Sequence, residues 1–378
     1  MGVVSAARAR GHVTLMYGSS SVPLPDGVRP LKGMVYDRSS ARKRLATWLG
    51  FSLQLAWHLL RQGSRYERLL VVSNPPFAPL LALLARRPYS LLLYDLYPQV
   101  LQQLSGERRP SAPLRLLIHS WHWLNRQVYR RAEHIYTLSA GMAQALQPCF
   151  ASPAEWQARV QVIPPWADTD QLSPIPPALN PFRDQHHLQG KLLLIYSGNL
   201  GLTHPLEPLL DASQFLQSQL PQFRLVLIGE GPKRQRLQQQ SNALQLANVC
   251  FLDPLPLEGL PASLSAADLA VVALDGPAAV ASLPSKTFSA LACGTPLLVI
   301  APLDSALAQL VHQHRCGLVV PPGPTAALEI TTLLTNLATH PGTLAKMAAN
   351  ALAASRYYTS VNAERLVHTW LKVPVATP

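Results

Sequence analysis

Short apolar runs alternate with stretches of helical spacing over most of the chain, and turn-forming residues bound the runs. Strands that are apolar at nearly every position are typical of parallel sheets covered by helices on both faces. The pattern therefore predicts the α/β class. The apolar runs are HVTLMYG, RLLVVSN, YSLLLYD, HIYTLS, VQVIPP, KLLLIYSG, FRLVLIGEG, DLAVVALDG and TPLLVIAP.

The segment 174–190 interrupts this pattern, because it is rich in proline and histidine and has no apolar periodicity. We predict a linker there, between an N-terminal Rossmann-like domain (1–173) and a C-terminal Rossmann-like domain (191–355). We also predict a C-terminal helix within 356–378 that returns to the first domain. A length of 378 residues suits two domains.

The start of the chain is unusual, because a Rossmann-like domain opens with its central strand and a glycine loop. Here ARARGHVTL indicates the end of a helix followed by a strand. We expect either that upstream sequence encodes the missing first strand or that this form is poorly active. The intact mass and the activity of the native protein would test this.

Charge and cysteine content narrow the function classes. A net charge of +12 favours anionic partners. The basic residues stand in short groups, and the chain has no zinc-finger or RNP motif, so we expect no nucleic-acid partner. The four cysteines are widely spaced and form no CxxC motif, and Cys293 and Cys316 are predicted core thiols. A reducing, cytoplasmic location is the expectation.

Two helical segments raise the question of a membrane. Residues 45–60 are too short for a span and contain Gln54 and His58, so we predict a buried helix. The flanking Arg44 and Arg61 leave peripheral membrane contact as the alternative. Residues 115–131 are aromatic and basic, and they predict either a core-facing helix or a helix on a membrane surface. The stripe of that second segment consists of Leu117, Trp121, Leu124 and Val128.

The stretch IYSGNLGLTHP joins an apolar strand to a Gly-Asn-x-Gly turn, and we predict that a helix begins at Pro205. Backbone N–H groups at a helix N-terminus bind anions, and glycine lets a phosphate approach the backbone closely. Thr203 would add a hydroxyl donor, and a protonated His204 would add charge. The alternative is a tight turn that needs glycine only for positive φ. The candidate residues are Gly198, Asn199, Gly201, Thr203 and His204.

Two further elements point to the same edge of the sheet. Gly229, Glu230 and Gly231 form a second turn at the end of the next strand. In LPSKTFSALACGTPLLV, the proline suits the start of a helix and Ser285 can help to cap it. Lys286 then lies in the first turn, where the helix dipole disfavours a cation unless both share an anion. An exposed lysine without a role is the alternative.

Asp95 ends the strand YSLLLYD in the N-terminal half. A carboxylate at a strand end can bind acceptor hydroxyls or act as a base. It can equally cap the following turn. The residues alone leave both interpretations open.

In combination these segments resemble the retaining GT-B glycosyltransferases of family 4, from about Arg10 to Tyr358. The segments YSGNLG, LVLIGEGPKR, LPSKTFSALACGTPLLV and CGLVVPPG occur in the family's order. In the N-terminal half, RGHVTL, LYDLYP, IYTLSAGM and VIPPWADTD look like the corresponding family segments. DLYP, IPPWAD, GNLGLTH and LPSK resemble the branch of colanic-acid and other exopolysaccharide transferases.

The resemblance implies two Rossmann-like domains facing a central cleft. It implies transfer of a sugar, with retention, from a nucleotide-diphosphate sugar to a sugar or lipid-linked acceptor in polysaccharide or glycolipid synthesis. No metal and no cofactor beyond the donor itself is expected. By position, the resemblance places the donor diphosphate at Gly198, Asn199 and Gly201, and the nucleoside near Gly229 and Glu230. Ser285 and Lys286 would face the donor phosphates or sugar. Asp95 would lie on the acceptor side.

The chain departs from the family pattern at two places. Ala281 and Ser289 occupy the positions where many members have two glutamates. Leu202, Thr203 and His204 replace a stretch in which many members have an arginine and a lysine. We therefore expect Lys286 and backbone amides to supply more of the phosphate stabilisation. We also expect donor affinity to weaken as the pH rises through the pKa of the histidine.

Two alternatives follow from the same residues. One is a nucleotide-sugar 2-epimerase-like enzyme, which would release an epimer or free sugar without an acceptor. The other is a non-catalytic nucleotide-sugar-binding protein, which the missing glutamates would favour.

Overall fold

The computed structural model describes residues 2–18, 23–37, 41–98, 111–167, 169, 171–276, 279 and 282–372. Contacts divide the chain into two compact units. Unit 1 comprises Met1–Pro164 and Ser360–Pro378, and unit 2 comprises Pro165–Thr359. The chain therefore leaves unit 1, forms unit 2 and returns.

Unit 1 contains two parallel sheets. Its strands are Thr14–Tyr17 (β1), Arg29–Lys32 (β2), Leu69–Val72 (β3), Tyr89–Leu93 (β4), Ile135–Thr137 (β5) and Val160–Val162 (β6). β1 pairs with β2, and the other four form a sheet in the order β3-β4-β5-β6. β4 is buried at every position, as a strand covered on both faces requires. Its described helices are Gly2–Arg8 (α1), Ala41–Gln62 (α2), Ala78–Leu81 (α3), Ala112–Arg131 (α4), Ala140–Leu146 (α5), Pro153–Arg159 (α6) and the last helix of the chain, Val361–Lys372 (α15).

Unit 2 is built on one parallel sheet of six strands. These are Leu192–Ser197 (β7), Phe223–Ile228 (β8), Val249–Leu252 (β9), Leu269–Ala273 (β10), Leu297–Ile300 (β11) and Gly317–Val320 (β12). The order β12-β11-β10-β7-β8-β9 places a topological switch point between β7 and β10. Its described helices are Pro181–Gln185 (α7), Glu207–Gln219 (α8), Arg234–Ala243 (α9), Leu260–Ala266 (α10), Ser285–Ala292 (α11), Ala306–His314 (α12), Ala326–Thr339 (α13) and Pro341–Ser355 (α14).

β7 shows why this sheet needs helices on both faces. Leu194 and Tyr196 pack in the core on one face, whereas Leu193 and Ile195 pack in the core on the other. Successive residues of a strand point to opposite faces, so an apolar run fills two cores at once. The predicted α/β class is confirmed.

The segment predicted as a linker, 174–190, differs from the prediction. It contains α7, and Arg183 in that helix is buried. The guanidinium donates to the carboxylate of Asp268 at 2.9 Å and to the Ala266 carbonyl at 2.8 Å. The sequence pattern conceals this because one buried charge and its distant partner have no periodicity.

The elements that were not predicted individually include β2, α12 and β12. β2 and β12 are only four residues long, which leaves little room for a period to show. Gly294, predicted to end the helix of the LPSK segment, follows α11 with a φ of +68°. The predicted core thiols Cys293 and Cys316 are buried, and all four cysteines are free.

The prediction that residues 45–60 form a buried helix is wrong for one face. Those residues lie in α2, but several of its large apolar side chains are exposed. In α4 the core face is rotated from the predicted stripe, since Trp121 and Val128 are buried whereas Leu117 and Leu124 are exposed. Within the described residues, no helix has both the length and the apolar character needed to cross a membrane.

The two ends of unit 2 lie next to each other. The amide of Ala167 donates to the carbonyl of Tyr358 at 2.9 Å. Ala167 and Tyr358 also pack against the same core cluster of unit 2. A backbone hydrogen bond therefore joins the first residues of unit 2 to its last residues.

Candidate functional site

The glycine turns that follow β7 and β8 lie side by side. The Gly198 amide donates to the carbonyl of Ile228 at 2.9 Å, and the Leu200 amide donates to the carbonyl of Glu230 at 2.7 Å. A Cβ on Gly229, whose φ is +133°, would lie 2.0 Å from the Gly198 carbonyl oxygen. The expectation that both turns line one edge of the sheet is confirmed.

The loop after β7 is longer than predicted. α8 begins at Glu207 rather than at Pro205, so residues 198–206 form a loop. Leu206, the residue before the helix, is fully buried, and its amide donates to the carboxylate of Glu207. The prediction that this turn stands at a helix N-terminus is therefore wrong, and two of its amides are already used by the neighbouring turn.

An ion pair anchors this loop. The ammonium of Lys233 donates to the His204 carbonyl at 2.8 Å and to the Glu207 carboxylate at 2.9 Å. The Lys233 amide also donates to the Leu200 carbonyl at 3.1 Å. Sequence reasoning missed this lysine. The available signal was a pair of cations after the Gly-Glu-Gly turn and a carboxylate at the start of the preceding predicted helix.

Lys286 lies in the first turn of α11, as predicted. Its ammonium nitrogen is buried and has no hydrogen-bond partner among the described residues. The nitrogen lies 3.7 Å from the centroid of the Tyr196 ring and 3.2 Å from the position that a Cβ would occupy on Gly198. Burial lowers the pKa of Lys286 to about 7. The ammonium is therefore not exposed, contrary to the alternative of an exposed lysine without a role, and its role in anion binding stays a prediction.

The start of α11 differs from the prediction in one detail. Pro284 occupies the N-cap position, and Ser285 is the first helical residue, so no side chain caps this helix. Ser285 is exposed, and Ser289 is half-buried in the same helix. Ala281 lies outside the described residues. The Thr287 amide donates to the Pro284 carbonyl at 3.0 Å, whereas the amides of the first two helical residues have no partner within the helix.

His204 is neutral in this site. Its Nδ1 lies 2.9 Å from the Asn199 carbonyl and 2.6 Å from the Tyr196 hydroxyl. Because a carbonyl only accepts, Nδ1 carries the proton and Nε2 carries the lone pair. Burial and the nearby Lys286 charge lower the pKa of His204 to about 4. The expectation that His204 titrates near neutral pH and adds positive charge is therefore wrong.

Glu230 is engaged by an arginine. Arg234 donates to the Glu230 carboxylate at 2.8 Å and to the Gly229 carbonyl at 2.7 Å. The same guanidinium lies 2.8 Å from the Asp253 carboxylate. Glu230 is 64% exposed, so its second oxygen is open to a ligand. This arginine was also missed from sequence, although it follows Lys233 directly.

Thr203 connects the loop after β7 with the loop after β10. The amide of Asp275 donates to the Thr203 carbonyl at 3.0 Å. These loops flank the switch point between β7 and β10, where ligands bind in open α/β sheets. Thr203 thus contributes its backbone to this connection. The hydroxyl role that sequence reasoning assigned stays a prediction.

Asp95 belongs to unit 1 and lies two residues beyond the end of β4. The Ser73 hydroxyl oxygen accepts from the Tyr94 amide at 2.9 Å and from the Asp95 amide at 3.3 Å. Asp95 has exposed surface, but the surrounding protein desolvates its carboxyl and raises its pKa from the ordinary value. The structure therefore brings the unit 2 candidates together and places Asp95 in the other unit.

The unit 2 candidates form a site suited to an anion. Among the described residues, the buried ammonium of Lys286 has no hydrogen-bond partner and no ion pair, and Gly198 leaves the space beside it clear of a side chain. A buried unpaired cation is unfavourable, so this site favours either a neutral lysine or a bound anion.

Comparison with known proteins gives this site a context. Residues 180–352 match the family model "Glycosyl transferases group 1". The chain is 23% identical to the probable glycosyltransferase WbjE of Pseudomonas aeruginosa, over 85% of this chain and 80% of that protein. It is 30% identical to WcaI of Escherichia coli (strain K12), a glycosyl transferase named for colanic acid biosynthesis, over 39% of this chain and 36% of that protein.

Among solved structures, the fold is similar to HepE of Anabaena, which was crystallised with UDP and glucose. The TM-score is 0.71 at 18% sequence identity, and the match covers 98% of this chain and 94% of HepE. The solved structures similar to this chain also include a sucrose-phosphate synthase and the glycosyltransferase WaaG, which have the GT-B fold. The predicted GT-B fold of this chain is therefore confirmed. The match of residues 180–352 to this family model, together with relatives that are named glycosyltransferases, supports a transferase enzyme.

Proposed function

We propose that this protein is a retaining glycosyltransferase that moves a hexose-type sugar from a nucleotide-diphosphate sugar to an acceptor hydroxyl. The observation that carries the proposal is the buried Lys286 ammonium beside the Gly198 turn, for which the described part of the chain supplies no counter-charge. A diphosphate is an anion of the size and charge that such a site accommodates. HepE, which was solved with UDP and glucose, has the same fold and supports this choice.

In this proposal the diphosphate lies across the start of α11. Lys286 and the first amides of that helix donate to its oxygens, and Gly198 allows the close approach. When the sugar departs, negative charge accumulates on the diphosphate. Donors that are already in place stabilise that charge without reorganisation. The ammonium therefore contributes most at the step where the glycosidic bond to the donor breaks.

The other candidates take supporting roles. His204 is neutral and is held through Nδ1, so the lone pair of its Nε2 can accept a hydrogen bond from a hydroxyl of the nucleotide sugar. Glu230, held by Arg234, is placed to accept from the nucleoside. Asp95 is assigned to the acceptor side, where a carboxylate at a strand end can bind an acceptor hydroxyl or act as a base, and burial raises its pKa above the ordinary value.

The finer classification is part of the same proposal. We assign the chain to the family 4 branch that synthesises exopolysaccharides, and its similarity to WcaI supports this assignment. Transfer is proposed to proceed without a metal, with a sugar or lipid-linked acceptor, in the cytoplasm. The four free cysteines suit a reducing compartment.

A thermal-shift panel of UDP-, GDP- and ADP-sugars tests the proposal. The true donor should raise the unfolding midpoint, since a ligand at 100 times its Kd stabilises by about 2.7 kcal/mol. That donor is then incubated with acceptors, with and without EDTA, and the anomeric configuration of the product is measured. Binding without turnover would favour a non-catalytic binder, and an epimer or free sugar formed without acceptor would favour the epimerase alternative.

A further inference from the structure

Helix α2 is apolar on the side that faces the protein and also on the side that faces solvent. Ser52 and Leu59 are buried on the inner side. A surface helix ordinarily carries polar residues outside. The outward positions of α2 hold large apolar side chains at spacings of four and three residues instead, and we call this row the α2 outer face: Leu45, Leu49, Leu53, Trp57 and Leu60.

The exposure of this row is extensive. Leu53 is 72% exposed, Leu60 is 64% exposed and Trp57 is 58% exposed. Single exposed apolar residues are ordinary, whereas a continuous apolar row marks a surface that something else covers. From the first to the last of these residues the row spans about 22 Å of helix, at ~1.5 Å per residue.

The charged residues of α2 itself are all basic. The sequence of α2 contains no aspartate or glutamate, whereas Arg42, Lys43 and Arg44 stand near its start and Arg61 near its end. Cations near a helix N-terminus oppose the helix dipole, so the stability of the helix does not account for them. Lys43 pairs with Asp37 at 3.7 Å, and both side chains are largely exposed. The cations therefore flank the row at both ends.

A cation–π contact between Arg61 and Trp57 brings a basic group and an exposed apolar ring of α2 together. The Arg61 guanidinium lies 3.8 Å from the centroid of the Trp57 ring. Indole rings favour the boundary between acyl chains and water, and a guanidinium binds phosphate in two places at once. At a bilayer surface the ring can enter the boundary while the cation stays among the headgroups.

Helix α4 repeats the combination in the same unit. Its sequence also contains no acidic residue. Leu116 is 71% exposed and Trp123 is 60% exposed. Arg115 and Arg126 are exposed on the same helix. Unit 1 therefore carries two basic helices with uncovered apolar side chains.

We propose that the α2 outer face rests on the surface of a membrane that contains anionic lipids. A surface of uniform negative charge suits a helix without carboxylates, whereas a protein partner of mixed charge selects both signs. Leucine and tryptophan on one side with cations beside them are typical of helices that lie in the interface plane. The donor site in unit 2 plays no part in this inference.

Co-sedimentation of the full chain with vesicles tests the proposal. We expect binding to phosphatidylcholine vesicles that contain phosphatidylglycerol, weaker binding as the salt concentration rises, and little binding to phosphatidylcholine alone. The double variant Leu53→Glu/Leu60→Glu should bind about tenfold more weakly or worse. Arg42→Gln/Arg61→Gln should weaken binding by roughly fivefold for each cation removed.

Matched controls come from unit 2. Leu328 is 64% exposed, so Leu328→Glu adds a charge at an equally open leucine. Lys346→Gln/Arg356→Gln removes two exposed cations. Both controls should bind vesicles like the unaltered chain, and thermal melts should show that all variants are folded. An equal loss in the controls, equal binding to neutral vesicles, or no binding by the unaltered chain overturns the proposal. The proposal is also overturned if the unaltered chain is a dimer that becomes monomeric only in the variant Leu53→Glu/Leu60→Glu, while that variant still binds vesicles normally.

Discussion

The ammonium nitrogen of Lys286 lies over the ring of Tyr196, 3.7 Å from its centroid, at the carboxyl edge of the unit 2 sheet. The ring attracts a cation through its quadrupole. That attraction does not replace the lost hydration, because burial lowers the pKa of the lysine to about 7. Near neutral pH the site is therefore poised between an empty neutral form and a charged form that holds an anion.

Removal of the lysine should slow the reaction. We expect Lys286→Ala to lower kcat by about 10- to 1,000-fold, the scale for losing one donor that stabilises developing charge. Initial rates with saturating donor measure this. Lys346→Ala, which removes an exposed lysine elsewhere in unit 2, should leave the rate unchanged. Unchanged kinetics in Lys286→Ala would remove this residue from the site.

Donor affinity should fall as the pH rises above about 7. The free site holds a protonated Lys286 only below its pKa of about 7, and a bound diphosphate raises that pKa. Between the two pKa values the affinity should fall by about tenfold for each pH unit. Calorimetric titration with the nucleotide sugar at several pH values measures it. Lys286→Met should give a weak, flat profile, whereas His204→Gln should keep the slope, because the pKa of His204 is about 4.

The free energy of unfolding of the ligand-free protein should rise with pH, whereas the donor affinity should fall. The unfolded lysine keeps its proton up to its ordinary pKa of 10.5, while the folded one loses it above about 7. Between these values the unfolded chain binds more protons, so the free energy of unfolding rises with pH. Below that window the charged form is destabilising, and Lys286→Met should stabilise by roughly 1–4 kcal/mol. Urea unfolding at pH 6 and at pH 10 would contradict this if the gain were equal at both.

Gly229 should tolerate no side chain. Its φ is +133°, and a Cβ would lie 2.0 Å from the Gly198 carbonyl oxygen. Gly229→Ala should destabilise by roughly 2–5 kcal/mol, the sum of backbone strain and overpacking. Gly342→Ala is the control, because a Cβ there meets nothing within 4 Å and lies in helix α14. It should stabilise by about 0.5–1 kcal/mol. Thermal and urea unfolding of both variants decide the point.

Arg183 should matter to stability far more than its position in a proline-rich segment indicates. It is 4% exposed and donates to Asp268 and to three carbonyls. Arg183→Ala would remove the cation from this buried pair and one donor from each of the three carbonyls, so we expect a loss of about 3–5 kcal/mol. Lys43→Ala, from a largely exposed pair, should cost less than about 1 kcal/mol. Comparable losses in urea unfolding would contradict the buried role.

The unit 2 sheet was predictable because its strands are continuous apolar runs bounded by glycine. β7, β8 and β10 lie within the predicted apolar runs KLLLIYSG, FRLVLIGEG and DLAVVALDG. Gly198, Gly229 and Lys286 were identifiable as candidates because each is a local anomaly, a turn glycine or a cation at a helix start. These signals depend only on neighbouring residues.

The rest of the site depends on residues that are distant in sequence. Tyr196 resembles any apolar strand residue until Lys286 is placed over its ring. Lys233 and Glu207 are ordinary surface residues in sequence and become a half-buried pair only in the fold. The charge of His204 was predicted wrongly because desolvation and a neighbouring ammonium, both tertiary effects, lower its pKa.

The hydrogen bond between Ala167 and Tyr358 has a consequence for how the protein is made. Unit 2 is one contiguous stretch whose two ends meet, so it resembles an insertion into a host domain. The host, unit 1, receives α15 only after all of unit 2 has been translated. During synthesis unit 2 can therefore finish folding first, whereas unit 1 is completed only when the last helix of the chain has been translated.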